Sequence, residues 1–109
     1  MGKQGLGEFE FIVMLAAMRL GDEAYAVPIV DEIRERTDRV VTRAAVYVTL
    51  QRLERKGLVV SHLGDPLPER GGRPRRYVRV TTAGRRAVRD AKAAFTSMWA
   101  GVDAVGRGS

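Results

Sequence analysis

Residues 42–76 hold most of the side chains in this 109-residue chain that could do chemistry on a partner, and that chemistry is recognition by charge and hydrogen bonding. Read as a helix, the segment from 42 to about 56 places Ala44, Val48, Gln51 and Arg55 on one side, flanked by Arg43, Tyr47 and Arg52. Guanidinium and amide groups bond to base edges and phosphates, and small apolar groups meet thymine methyls, so this side suits a DNA major groove. A solvated basic face would carry the same residues, and the helix by itself leaves both readings open. A second concentration of charge follows. Arg70, Arg73, Arg75 and Arg76 lie in or beside a stretch, residues 64–75, that proline and glycine keep out of regular structure, and arginines on such a projection suit phosphates or a minor groove. Gly71 and Gly72 lack the lysine, the spacing and the following helix of a nucleotide-phosphate cradle.

Bond-making chemistry finds no matching pattern. His62 is the single histidine, without a carboxylate or cysteine at ligand spacing, and reads as an ordinary strand residue. Ser61, Ser97 and Ser109 have no neighbouring base or nucleophile elbow. Asp31, Glu32 and Glu35 fall on one solvated helical face. The chain is therefore expected to be no enzyme and to need no cofactor or metal. Without cysteine it forms no disulfide, which fits a reducing cytoplasm. The longest apolar run, residues 11–18, is far short of the roughly 20 residues that span a bilayer. No secretory leader is evident at its start, so the cytoplasm is the expected location and a membrane is not an expected partner.

These residues need elements to hold them. Thr42 suits the N-cap of the basic helix, Val46, Leu50 and Leu53 form its core-facing stripe, and Gly57 suits a left-handed closing residue. Before it, residues 6–20 carry one stripe of Phe9, Ile12, Val13, Ala16, Ala17 and Leu20 and a second of Phe11, Met14, Leu15 and Met18. So wide an apolar arc predicts a covering second subunit beside the chain's own core. A turn at Gly21 and Asp22 leads to a helix over about 25–36 with Val30 and Ile33 buried and Pro28 in its first turn. With the connector at 38–41, this helix and the basic one make a helix-turn-helix. Strands over 58–63 and 77–81 form a hairpin with a long tip. After Thr81 or Thr82 comes a last helix, in which Val88, Ala91, Phe95, Met98, Val102 and Val105 step at the 3 and 4 spacing of a helix that packs along another. The fold is thus mainly α with a small β-hairpin: a DNA-binding unit over 1–81, a dimerisation helix over 82–105 and a tail over 106–109.

Charge supports this division. The formal net charge is +6, yet residues 1–38 hold four Lys/Arg against eight Asp/Glu, and residues 39–89 hold thirteen against three. One basic surface on an otherwise acidic body is the footprint of a polyanion-binding module. A membrane surface would favour an amphipathic basic helix over a Gly/Pro-rich turn.

In this order of elements, the segments LGEFE at 6–10, AVYVTLQRLE at 45–54, KGLV at 56–59, ERGGR at 69–73, RRY at 75–77 and TTAG at 81–84, with Ala24 and Tyr25, carry a resemblance. The chain resembles the PadR family of bacterial transcriptional regulators, over residues 6 to about 90, and its length is similar to the short branch with one C-terminal dimerisation helix. The resemblance implies a winged helix-turn-helix, a homodimer and a repressor of double-stranded DNA at a palindromic operator, with half-sites about 34 Å apart. It also implies that Tyr47 and the wing arginines touch the DNA backbone, whereas the helical wheel nominates Arg43, Ala44, Val48 and Gln51 for the bases. Ala26 and Pro28 depart from the family pattern and leave the start of the second helix open. Some short members carry a terminal-helix tryptophan that stacks on flat aromatic molecules between subunits. Trp99 is the corresponding candidate for an aromatic effector, against the plainer alternative of packing on a partner helix. The competing function is a winged-helix module that acts through a protein partner or as a ligand sensor; such a module would bind a protein with no dependence on DNA, whereas DNA binding must weaken steeply with salt.

Overall fold

The structure, a computed structural model, describes residues 5–64 and 75–107, with side chains through residue 104. Its elements in chain order are α1 (Glu8–Leu20), a 3-10 turn (Gly21–Glu23), α2 (Ala26–Thr37), α3 (Arg43–Arg55), β1 (Val59–Leu63), β2 (Arg76–Val80), α4 (Thr82–Trp99) and α5 (Val102–Arg107).

Local bonding explains most of the boundaries. At the start of α1 the Gly7 N–H donates to the Glu10 carboxylate at 2.8 Å, which satisfies one of the helix's free donors. α2 begins after Tyr25 with no side-chain cap, and Pro28 falls in its first turn, where the absent N–H has no helical partner to lose. It ends at Asp38, whose φ of 58° is left-handed, a conformation aspartate adopts more readily than most residues. The Thr42 hydroxyl accepts from the Ala45 N–H at 3.1 Å and so opens α3. Gly57, with φ 77°, closes it: the Gly57 N–H donates to Glu54 O and the Leu58 N–H to Leu53 O, a Schellman pair. Leu53 and Leu58 are both buried at that corner.

The hairpin is antiparallel, with Val59 opposite Val80, Ser61 opposite Val78 and Leu63 opposite Arg76. On its other edge β2 donates a further bond, from the Val78 N–H to Ala24 O at 2.9 Å, so the segment before α2 acts as the stub of a third strand. Val59, Val78 and Val80 turn inward and join Val13, Met14, Ile29, Ile33, Val46 and Leu53 in one core. At the base of the hairpin Thr81 ties three segments together. Its N–H donates to Leu58 O, its hydroxyl donates to Gly57 O, and that same oxygen accepts the Gly84 N–H that caps α4.

Two expectations about the apolar stripes need correction. Met14 has 0% of its surface exposed and Val88 is buried as well, so both belong to the chain's own core and not to a seam between chains. The two stripes of α1 adjoin, and one set of neighbours, α2, α3, β2 and α4, covers part of both. Phe11 meets Phe95 within the chain, with ring centroids 5.7 Å apart, and Met18 is half-buried against the same core. The second correction concerns the single helix expected over 82–105. It breaks at Ala100 and Gly101, where Gly101 takes φ 82°, and α5 then includes Gly106 and Arg107 from the expected tail. Apolar spacing continues in phase across this break, and only the glycine marks it.

Candidate nucleic-acid interface

The stripe that anchors α3 is buried as its spacing predicts, and Thr49 joins it, its hydroxyl donating to Ala45 O at 2.8 Å. With that side fixed in the core, the opposite side must face outward. Arg43, Ala44, Tyr47, Val48, Gln51, Arg52 and Arg55 are all exposed, Tyr47 by 46% and Val48 by 49%. Thr42 is exposed too, but its oxygen serves the helix cap, so its first role is to start α3.

The wing lies beside this face. Between α3, the start of α2 and β2 is a cleft of about 390 Å³, floored by Leu50 and Val78 and edged by Tyr25, Tyr47, Gln51, Glu54, Arg75 and Arg76. Arg75 and Arg76 are therefore brought next to Tyr47 and Gln51 of the exposed face of α3. Each arginine is already engaged. The Arg75 guanidinium lies 4.8 Å over the Tyr25 ring, and hydrogen bonding to the Tyr77 side chain raises its affinity for the proton further, against a smaller opposing effect of burial. Tyr77 in turn packs edge-on to Tyr25 and stacks on His62, with centroids 5.4 and 5.6 Å apart. His62 is thus a strand residue whose ring supports the wing. Arg76 donates to the Ser61 hydroxyl at 2.6 Å, and Ser61 donates to Glu54 at 2.9 Å. Arg70 and Arg73, together with Gly71 and Gly72, lie outside the described residues.

Sequence reasoning missed a second feature, the bond that seats the C-terminal end of α3 on α1. Lys56 Nζ lies 2.9 and 3.0 Å from the two oxygens of Glu10, whose side chain is nearly enclosed. Burial pushes this carboxyl up, but the Gly7 N–H and the Lys56 ammonium pull it down further, helped by Arg52, and its net position is below the ordinary value. Nothing in the spacing of two residues 46 positions apart announces the pair.

At the far end of the chain, Phe95, Met98, Trp99 and Val102 are exposed, Trp99 by 64%, while Ala91 is half-buried. Val105 lies outside the described side chains. Among the described residues no group of three or more histidine, cysteine or acidic side chains could hold a metal ion. No helix in them is long and apolar enough to cross a membrane.

A family model described as the transcriptional regulator PadR-like family matches residues 14–90. No curated protein matches the chain. Among solved structures, a PadR-like transcription factor from Bacteroides fragilis is 24% identical with a TM-score of 0.72, over 89% of this chain and 88% of its own. A PadR-like transcriptional regulator from Bacillus cereus reaches a TM-score of 0.74 at 16% identity, over 93% of each chain. A PadR family transcriptional regulator from Eggerthella lenta is 28% identical, with a TM-score of 0.67 over 92% of this chain and 84% of its own. At the identities of the first two, the likeness is one of fold.

Proposed function

The chain belongs to the PadR-like family of transcriptional regulators, and from that premise we propose that it is a homodimeric repressor that binds a palindromic DNA operator. The observation that carries this reading is the outward side of α3, where three arginines, a glutamine, a tyrosine and small apolar residues are exposed together beside a wing that carries further arginines. In this reading α3 enters the major groove with Arg43, Ala44, Val48 and Gln51 toward base edges. Thr42, Tyr47, Arg52 and the wing residues Arg70, Arg73, Arg75 and Arg76 hold the phosphates. The dimer forms through Phe95, Met98 and Val102 of the terminal segment, with Phe11 beside Phe95 and Met18 about two turns further along α1. The protein acts in the cytoplasm without a cofactor. The exposure of Trp99 favours one addition, an aromatic small molecule that stacks there at the seam and releases the DNA.

Fluorescence anisotropy against the chain's own upstream region and a scrambled duplex, at two salt concentrations, tests the proposal. A preference for the native duplex that persists at the higher salt supports operator binding. Equal and steeply salt-sensitive binding of both would reduce the face to an electrostatic one, and no binding at all would favour a protein partner. Gln51→Ala should relax preference at a single base pair, by about 1–3 kcal/mol of discrimination, while binding to unrelated duplexes stays nearly constant. A binding screen over all single base-pair changes reads this directly. Val102→Asp should convert the dimer to a monomer at micromolar concentration. A sedimentation profile unchanged from the wild type would remove the terminal segment from the interface.

A further inference from the structure

The recognition helix carries one acid, Glu54, and a carboxylate on a face that meets phosphates opposes binding by simple repulsion. Its bonding suggests what it does there. Glu54 Oε2 accepts from Ser61 Oγ at 2.9 Å, and Ser61 Oγ accepts from Arg76 Nη1 at 2.6 Å. A single hydroxyl serves both bonds, with a cation on its acceptor side and an anion on its donor side. Both charges polarise the O–H in the same sense, so each bond strengthens the other. The three residues come from three elements, α3, β1 and the first position of β2, and the strand register puts Ser61 and Arg76 two rungs apart, a diagonal pair on one face of the hairpin.

We propose that Glu54 and Ser61 are positioning residues that hold the Arg76 guanidinium at a fixed place beside α3, so that helix and wing meet a DNA phosphate as one surface. The proposal rests on the operator-binding reading. An arginine side chain loses much of its rotamer freedom when it docks, and one already held by a bond gives up less at that moment. The guanidinium has five N–H donors and this bond uses one, so holding Arg76 leaves it able to grip a phosphate. Glu54 thereby contributes to binding through geometry what it subtracts through charge.

The test is a double-mutant cycle on a duplex that the wild-type protein selects from a random-sequence library. Ser61→Ala should weaken binding by about three- to tenfold at fixed salt. It should leave the slope of affinity against salt unchanged, because no charge is lost. Ser61→Thr keeps the hydroxyl and should restore the affinity. Arg76→Ala should reduce the salt slope by about one, and in that background Ser61→Ala should have no further effect, since there is no arginine left to hold. Equal losses from Ser61→Ala with and without Arg76 would overturn the proposal, as would no loss at all. A thermal midpoint recorded for each variant separates a binding effect from unfolding, and a loss that tracks the midpoint overturns it too. If the wild type selects no duplex, the operator-binding reading fails and this inference falls with it.

Discussion

Gly84→Ala should destabilise the protein by about 3 kcal/mol, although alanine is the better helix former by roughly 1 kcal/mol. The position lies in the first turn of α4, where that turn passes directly over the base of the hairpin. A Cβ there would stand 2.1 Å from Leu58 O and 2.9 Å from both Met14 Cε and Val80 Cγ1. The methionine tip can swing away. The carbonyl cannot, because it accepts the Thr81 N–H, and Thr81 caps α4 while its hydroxyl bonds to Gly57 O. Accommodating one methyl group therefore lifts the helix start off the hairpin and opens the bonds that join α3, the wing and α4. Small-to-large changes in packed interiors cost about 1–3 kcal/mol, and a backbone obstacle puts this one at the upper end. Equilibrium denaturation by urea reads the change. A midpoint equal to or above that of the wild type would mean that helix propensity outweighs the close approach.

The second large effect is expected at Lys56. Lys56→Met keeps the length of the side chain and deletes the ammonium, leaving the enclosed Glu10 carboxylate with the Gly7 N–H at 2.8 Å. Breaking a buried ion pair from one side costs about 3–5 kcal/mol, because the remaining charge stays desolvated. The Lys56 side chain keeps 20% of its exposure, which argues for the lower end of that range. Glu10→Gln in the same background should recover most of the loss, since a neutral amide oxygen still accepts from Gly7.

The pH dependence of this loss has a definite sign. In the wild type Glu10 titrates below its ordinary value of 4.5, so its contribution to stability is fully present above about pH 4.5 and fades as pH falls through the lower folded value. In Lys56→Met both pulls of the ammonium are gone while burial stays, so the carboxyl moves up from its wild-type position, and acid protonates the buried group sooner and relieves it. The gap between the two proteins should accordingly be widest at neutral pH and close below about pH 4.5. A gap independent of pH would show that the methionine acts through packing and not through the carboxylate.

What could be read in the chain beforehand follows from how local each cause is. α3 was legible because its cap, its buried stripe and its closing glycine all lie within residues 42–57 and agree with one another. A single helix also has only one side left to expose once its stripe is fixed, so the exposed face of α3 came with it. Met14 was misassigned because a wheel shows which sides of α1 are apolar without showing which neighbour covers them. Gly84 and the pairing of Glu10 with Lys56 depend on distant segments meeting, and the positions of Arg75 over Tyr25 and Arg76 on Ser61 depend on strand register. None of these leaves a trace in spacing. The break at Gly101 escaped for the opposite reason, since the apolar repeat runs through it undisturbed.

α4 is held to the rest of the chain along only part of its length. Gly84 and Val88 are buried, Ala87 and Ala91 half-buried, and beyond them Phe95 leans on Phe11 while residues 92–100 are exposed. From Gly84 to Trp99 the helix is a lever roughly 22 Å long at 1.5 Å per residue. A tilt of about 5° at its root displaces its outer end by about 2 Å. In a dimer joined at those outer ends the two displacements add, to about 4 Å between one α3 and the other, and a base-pair step is about 3.4 Å. A change at the seam too slight to disturb either wing would thus put the second reading head out of step with its half-site by a full base pair.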